Sequence, residues 1–401
     1  MNRTITSLAL TSALALTLTA CGSDGGGDTD SGADAGSAAT GGEAGGLVGT
    51  GTGDDCTIEE AVPVGAALSL TGAAASYGES QKKGLELAAE QLGEKEGVTY
   101  DLTIEDDGTD PRQGITVFEQ FTQDRSVIIG PTLSNGAFQA QPIAQEAGVP
   151  VVAISNTADG ITAQGDYVFR VSLTEAQVIP QTVEVSTEEF GLEKVVVMYS
   201  NDDAFTESGY DVFAAALEDQ GLEVLDTLTF SKADTDFRAL LTEAKAADAD
   251  AIVVSGLIEA AIPLVTQARE LGIEVPIIGG NGFNNPKLMS DAGEAAEGVV
   301  VGAAWNSASE GELNTAFLAD FEEKYGHQPD QFAAQAYTGL TVIDEAVRAT
   351  CSGEPDAIQE GLGGVEDVET VLGTLSINDD RDAEHPAVVQ VVEGGAFAPL
   401  N

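Results

Sequence analysis

From Val62 onward the chain alternates apolar runs too short for a packed helix with longer segments whose apolar residues recur at helical spacing. This alternation restricts it to strand-helix-strand units and a parallel sheet. Residues 62–70 read as a buried strand, and Leu85, Ala88, Ala89 and Leu92 then share one helix face. Residues 100–105 alternate as a strand, and Pro111 opens a helix carrying Ile115, Phe118 and Phe121. A strand at 127–129 is closed by Gly130-Pro131, a helix follows at 138–146 and a strand at 149–154. The pattern then restarts, with strands at 194–199, 222–230, 251–254 and 275–278 and helices at 205–220, 237–247 and 260–271. Two successive runs predict an α/β chain of two doubly wound parallel sheets. Ligands of such sheets bind beyond the carboxyl ends of the strands. The loops after Leu70, Gly130, Ile154, Tyr199, Val254 and Ile278 are therefore the candidate site.

Ahead of this body, Arg3 precedes an apolar run at 8–18 and the small residues Thr19 and Ala20. That is the layout of a secretory signal, too short to span a membrane. The stretch Leu18-Thr19-Ala20-Cys21-Gly22 resembles the bacterial lipobox, which implies a signal peptide at 1–20 and acylation of Cys21. Residues 21–55 are rich in Gly, Ser, Ala, Thr and Asp, with little to bury, and are expected to form a flexible tether. The Gly-Thr-Gly-Thr-Gly run at 49–53 has no strand before it, so it is not a phosphate loop. The expectation is an extracytoplasmic protein held to the cell membrane by its lipid alone.

Sixteen Lys and Arg against 67 Asp and Glu give a formal charge of −51, which argues against nucleic acid and anionic lipid as partners. Solubility and adaptation to high salt are both open readings of that charge. With Cys21 assigned to the anchor, Cys56 and Cys351 remain as one even pair in an exported chain, where disulfides persist. No Cys/His cluster has metal-ligand spacing, and no metal or cofactor is expected. His327 and His385 lie in polar, turn-like stretches and read as solvated surface. There is no nucleophile elbow and no Walker loop. The acid pairs Asp106-Asp107 and Asp202-Asp203 are ordinary in so acidic a chain, and an enzyme is not expected. The strand-end loops instead carry Tyr77, Ser134, Ser155, Thr157, Phe205, Trp305 and Phe332. Such residues suit non-covalent capture of a small polar molecule with an apolar part.

At these loops stand LSLTGAAASYG (ending at Gly78), EDDGTDPRQG (105–114), VIIGPTLS (127–134), VPVVAISNTADGIT (149–162), YSNDDAFTESG (199–209) and IIGGNGFNNP (277–286). Through them the chain resembles the type I periplasmic binding proteins of the leucine/isoleucine/valine-binding family. The resemblance implies two lobes joined by three crossovers, with the ligand clamped between them by hinge closure. It divides the chain into lobe 1 (56–174 plus 304–376) and lobe 2 (175–303 plus 377–401). It also implies that Ser134 and Thr157 hold a ligand carboxylate, and that the Ser155 backbone carbonyl meets an amine. Tyr77 and Phe332 match aromatics of the first lobe. On the residues alone, Ser134 and Thr157 equally suit helix caps, and Tyr77 and Phe332 a core.

Three positions depart from the family pattern. Phe205 stands where a tyrosine is usual, Leu257 where some members have another, and Asn281 where an acid pairs with the ligand ammonium. Unless Asp202, Asp203 or Glu259 supplies that charge, the expectation is an amide-like or carboxylic ligand. The resemblance places Cys351, at the end of a helix expected at 333–347, in the same lobe as Cys56. The implied partners are a small-molecule solute and the permease and ATPase subunits of an ABC importer, the binding subunit being a monomer. The same fold also serves in extracellular ligand sensors, which is the alternative.

Overall fold

A computed structural model describes residues 46–400, and the expected signal peptide, the Cys21 anchor and the tether up to residue 45 lie outside these residues. The short Val- and Ile-rich runs become strands buried on both faces, as parallel strands require. Strands β1 (Val62–Leu68), β2 (Tyr100–Asp106), β3 (Val127–Ile129), β4 (Val151–Ala153) and β5 (Val168–Arg170) form a sheet in the order β2-β1-β3-β4-β5. Every pair in it is parallel. Helices α1 (Ala75–Glu94), α2 (Pro111–Phe121) and α3 (Ser134–Ala147) connect its first four strands.

The chain then crosses to a second lobe through helix α4 (Glu175–Phe190), which is opened by a capping box between Thr174 and Gln177. Strands β6 (Lys194–Ser200), β7 (Glu223–Phe230), β8 (Ala251–Ser255), β9 (Ile277–Gly279) and β10 (Val299–Ala303) pair in parallel. Helices α5 (Ala204–Asp219), α6 (Arg238–Ala246), α7 (Ile258–Glu270) and α8 (Lys287–Ala292) lie between them in sequence.

A second crossing returns the chain to lobe 1 as α9 (Glu312–Tyr325), α10 (Gln331–Thr350) and α11 (Pro355–Gly363). Helix α10 packs Leu340, Ile343 and Val347 into the core beneath β1. It approaches α1 so closely that a Cβ on Gly84 would lie 2.1 Å from the Ala333 carbonyl oxygen, which makes a glycine necessary there. Asp344, buried, accepts from Arg348 Nε (2.9 Å) and the Tyr100 hydroxyl (2.7 Å) and so pins α10 to β2. Cys56 and Cys351 form a disulfide between the chain ahead of β1 and the end of α10.

Two boundaries differ from the sequence reading. The expected break at 376/377 falls inside β12 (Gly373–Ile377), which pairs with β11 (Val368–Thr370) and β13 (Ala383–Glu384) in a small antiparallel sheet. The third crossing is therefore at 385–387. After it, β14 (Val388–Glu393) and β15 (Ala396–Pro399) extend the second sheet to the order β15-β14-β10-β9-β8-β6-β7. Residues 46–55 also depart from a free tether. Val48 bridges to Ser352 and Thr50 to Thr57, and the Gly49 amide donates to the Cys351 carbonyl (2.9 Å). Their polar composition hides pairing with partners distant in sequence.

His385, at the third crossing, is only partly exposed; burial pushes its pKa down to about 4. It is not the solvated side chain its polar neighbours suggest. Among the described residues no helix is long and apolar enough to cross a membrane.

Candidate functional site

The loops at the carboxyl ends of β1 to β4 are wired together by short polar side chains. Asp106 accepts from the amides of Leu70 (2.9 Å) and Gly108 (2.8 Å) and from the Thr71 hydroxyl (2.6 Å). Burial raises its pKa, but those bonds together outweigh it and hold its carboxyl below the usual range. Asp107 is buried, and desolvation pushes its pKa up, while Ser69 Oγ (2.6 Å) and the Thr109 amide (2.8 Å) donate to it. The Ser69 amide donates to Thr132 Oγ1 (2.9 Å), which donates to Gln81 Oε1 (2.7 Å). Gln81 Nε2 in turn reaches Ser155 Oγ (2.7 Å). The Asp-Asp pair of this lobe thus ties loops together and has no acid/base geometry.

Beyond this wiring lies a nearly closed cavity of ≈20 Å³ between the lobes. Tyr77, Ser134, Ser155 and Phe332 line it from lobe 1, and Phe205, Leu257, Asn281 and Gly282 from lobe 2. Six of the seven residues expected at a ligand site therefore meet at one place. Thr157 does not line this cavity. It is buried beside the first crossing, its hydroxyl unpartnered, on an adjoining groove that Glu175 also lines. On the other side the cleft widens into a space of ≈270 Å³ that shares Leu133 and Leu257 with the first.

The lobes are bonded across the cleft. The Tyr77 hydroxyl donates to the Gly282 carbonyl (2.7 Å) and accepts from the Ile258 amide (2.8 Å), with the Phe332 ring 4.6 Å away. Asn135, near the start of α3, accepts from the Ala204 amide (2.9 Å) and donates to Asp203. The Asp159 amide donates to Ser208 Oγ (2.9 Å).

Of the acids expected to stand in at position 281, Asp202 and Asp203 are already bonded, and Glu259 faces the wider outer space. Burial raises the pKa of Asp202, but the bonds it accepts from Ser200 (2.8 Å), Ser231 (2.7 Å) and the Lys232 amide (2.8 Å) together hold it low. Asp203, whose pKa burial raises, caps α5 at the Phe205 and Thr206 amides. Glu259 lines the wider outer space, pushed up to about 7 by burial, with Lys287 pulling the other way. Asn281 gives its carbonyl oxygen to Gln331 Nε2, leaving its amide nitrogen to donate.

Glu175, which the sequence reading passed over, is the outlier. It is 2% exposed, both carboxylate oxygens lack a hydrogen-bond partner, and burial pushes its pKa to about 7 against the pull of Thr157 and Arg170. An acid in the first turn of a helix is favourable by the helix dipole alone, so its position in sequence carried no signal of a cleft role. Among the described residues no group of His, Cys, Asp and Glu could hold a metal ion.

Two parallel α/β lobes, linked by three crossings and enclosing a small mixed polar and aromatic cavity at their strand ends, have the architecture of a solute-binding protein. The family model for periplasmic binding proteins matches residues 61–396, and the chain belongs to that family, whose members bind solutes and are not enzymes. It is 26% identical over 333 residues to a Leu/Ile/Val-binding protein homolog of Brucella melitensis, covering 81% of this chain and 89% of that one. The isoleucine complex of the branched-chain amino acid transporter substrate-binding protein LivJ from Streptococcus pneumoniae superposes with a TM-score of 0.80 at 27% identity. The alignment covers 85% of this chain and 99% of LivJ. A benzoate-bound solute-binding protein of an ABC transporter from R. palustris shares the fold, with a TM-score of 0.78 at 23% identity over 85% and 96% of the two chains. The fold is thus that of the type I periplasmic binding proteins.

Proposed function

We propose that this chain is the lipid-anchored, extracytoplasmic substrate-binding subunit of an ABC importer for a small polar solute, either a branched-chain amino acid or a related amide or carboxylate. The observation that carries the reading is the cavity itself. It lies between strand ends of two lobes and is bridged by Tyr77, so capture of a solute and closure of the lobes are one event. Ser134 at the start of α3 and the amide nitrogen of Asn281 are donors suited to an anionic or carbonyl group. Phe205, Leu257 and Phe332 supply walls for an apolar part. Relatives bearing the names of leucine, isoleucine and valine, and a neighbour holding isoleucine, support the amino-acid class; the benzoate-bound neighbour extends the range to carboxylates.

Calorimetric titration of protein lacking residues 1–45 against amino acids, their amides and short carboxylates tests the reading. One-to-one binding of a panel member is expected, and a panel with no binder overturns it. Recovery of the bound compound unchanged after long incubation is expected of a carrier. Separately, Cys21→Ser is expected to lose lipid labelling and to appear in the medium. Retention in the membrane fraction would overturn the anchor.

A further inference from the structure

We infer that Glu175 supplies the negative charge for an ammonium-type group on the solute, from the first crossing and in place of an acid at position 281. The inference rests on the solute-binding reading above and narrows it to an amine-bearing ligand.

Glu175 is the first residue of α4, directly after the chain leaves lobe 1. Its amide donates to the Thr157 carbonyl (3.2 Å), which sets the two residues side by side where the lobes join. Its Oε2 lies 3.2 Å from where a Cβ on Gly280 would sit and 3.7 Å from the same point on Gly209. The carboxylate is thus held against the bare backbone of the residue preceding Asn281, which lines the cavity. Thr157 Oγ1 and both carboxylate oxygens are buried without a well-formed hydrogen bond, the Thr157 hydroxyl lying only near enough to pull the carboxyl pKa down. Unpartnered buried polar groups are uncommon, because each forfeits its hydration for nothing, and three such atoms on adjoining residues point to a missing donor.

Among the described residues no side chain other than Thr157 stands near enough to act as that donor. Arg170 acts on Glu175 electrostatically, but its guanidinium is spent on Asp382 (2.7 Å) and on the carbonyls of Asn156 (2.9 Å) and Ala158 (2.8 Å). An ammonium has three N–H donors and no acceptor, which matches a carboxylate beside a hydroxyl. Burial leaves the acid poised near neutrality, so a cation brought to it stabilises the ionised form, whereas a second carboxylate would repel it.

The test compares L-leucine, L-isoleucine and L-valine with 4-methylpentanoate, which is leucine without its amine, and with benzoate. Calorimetry is run on the parent protein and on Glu175→Gln. The parent is expected to bind an amino acid at least about tenfold more tightly than 4-methylpentanoate, the scale of one charge-assisted hydrogen bond. In Glu175→Gln that ratio is expected to collapse to within about threefold, through loss on the amino acid alone. Thermal melting confirms that the variant folds, and Glu175→Ala, read by the same ratio, replaces it if it does not. Equal affinities in parent and variant, or equal losses on both ligand types, overturn the inference while leaving solute binding intact. A parent that prefers 4-methylpentanoate or benzoate overturns it as well. A parent that binds no member of the panel overturns the solute-binding reading itself, and the inference with it.

Discussion

Lobe 1 brings to the cleft polar groups that are already bonded to one another. Asp106, Asp107, Thr132, Gln81 and Ser155 form a continuous chain of hydrogen bonds beneath the cavity. The same lobe is held from behind by the Cys56–Cys351 disulfide and the buried Asp344–Arg348 pair. Lobe 2 brings Phe205, Leu257, the Gly282 backbone and, at the start of α4, an acid whose oxygens have no partner. No disulfide occurs among its described residues. The contrast separates two tasks. A satisfied network is rigid because every rotamer in it is fixed by two neighbours, so lobe 1 sets where a ligand's polar end sits. An unsatisfied face gains most from what it is offered, so lobe 2 sets which ligand closes the cleft.

The sharpest way to break this division is to loosen lobe 1 from behind. Replacing Cys56 and Cys351 together by serine opens a link spanning 295 residues of sequence, a loss of about 5–6 kcal/mol in the chain-entropy model. Urea unfolding is expected to show that loss while the order of preference among solutes stays unchanged. A reordered preference would mean that lobe 1 also selects.

The next largest effect belongs to lobe 2 and to pH. The carboxyl of Glu175 has a folded pKa of about 7, raised by burial above its ordinary 4.5. Arg170, itself paired with Asp382, is the charged group acting on it. Below pH 4.5 the group is neutral in both states and costs nothing. As pH rises, the unfolded chain loses this proton first, so stability falls and levels off above pH 7, by about 3 kcal/mol at 1.36 kcal/mol per unit. Urea melts of the solute-free parent and of Glu175→Gln, from pH 4.5 to 7.5, are expected to diverge by that amount. A constant difference between them would show that the acid is not held neutral.

These predictions also mark where sequence was informative. The strands β1, β3, β6 and β8 are legible because their apolar runs are buried on both faces, and local pattern reports burial directly. The loops leading to Tyr77, Ser134, Ser155, Phe205 and Asn281 are legible because strand-end position follows from topology, whereas Phe332 stands in α10 after another helix and is expected from the family resemblance alone. Strand β13 is two residues long and has no period to read. Glu175 and His385 look solvated in sequence, and only the meeting of the lobes or the third crossing buries them. Residues 46–55 look like a tether because their pairing partners, Thr57 and Glu60 apart, lie some 300 positions away. What local chemistry decides is readable, and what one lobe does to the other is not.

Tyr77→Phe tests the one side chain that joins both faces. Its hydroxyl serves the Ile258 amide and the Gly282 carbonyl, and its removal leaves both backbone groups unpaired whenever the cleft is shut. Closure and solute affinity are expected to weaken by about 2 kcal/mol, some 30-fold, with little change in the unfolding of lobe 1. An unchanged dissociation constant would show that the bridge contributes nothing to closure.

The smallest effect sharpens the comparison most, because it adds a group to the unfinished face. Phe205 is the second residue of α5, 6% exposed, and its ring lines the cavity opposite Ser134 and Ser155. In lobe 1 the hydroxyls of Ser155 and Thr132 are already committed, so a new hydroxyl there would find its partners taken. In Phe205→Tyr the added hydroxyl joins a wall of the cavity, with a ligand's carboxylate as its natural acceptor once the lobes part to admit it. One such hydrogen bond, net of the hydration lost, is worth about 1 kcal/mol, or roughly fivefold in affinity. The gain is expected for leucine and 4-methylpentanoate alike, since both carry the carboxylate, and this distinguishes it from the Glu175 effect, which falls on the amine alone. Calorimetry with the two ligands checks it. A gain confined to leucine would place the new hydroxyl beside the amine, and would move the anion site away from Ser134.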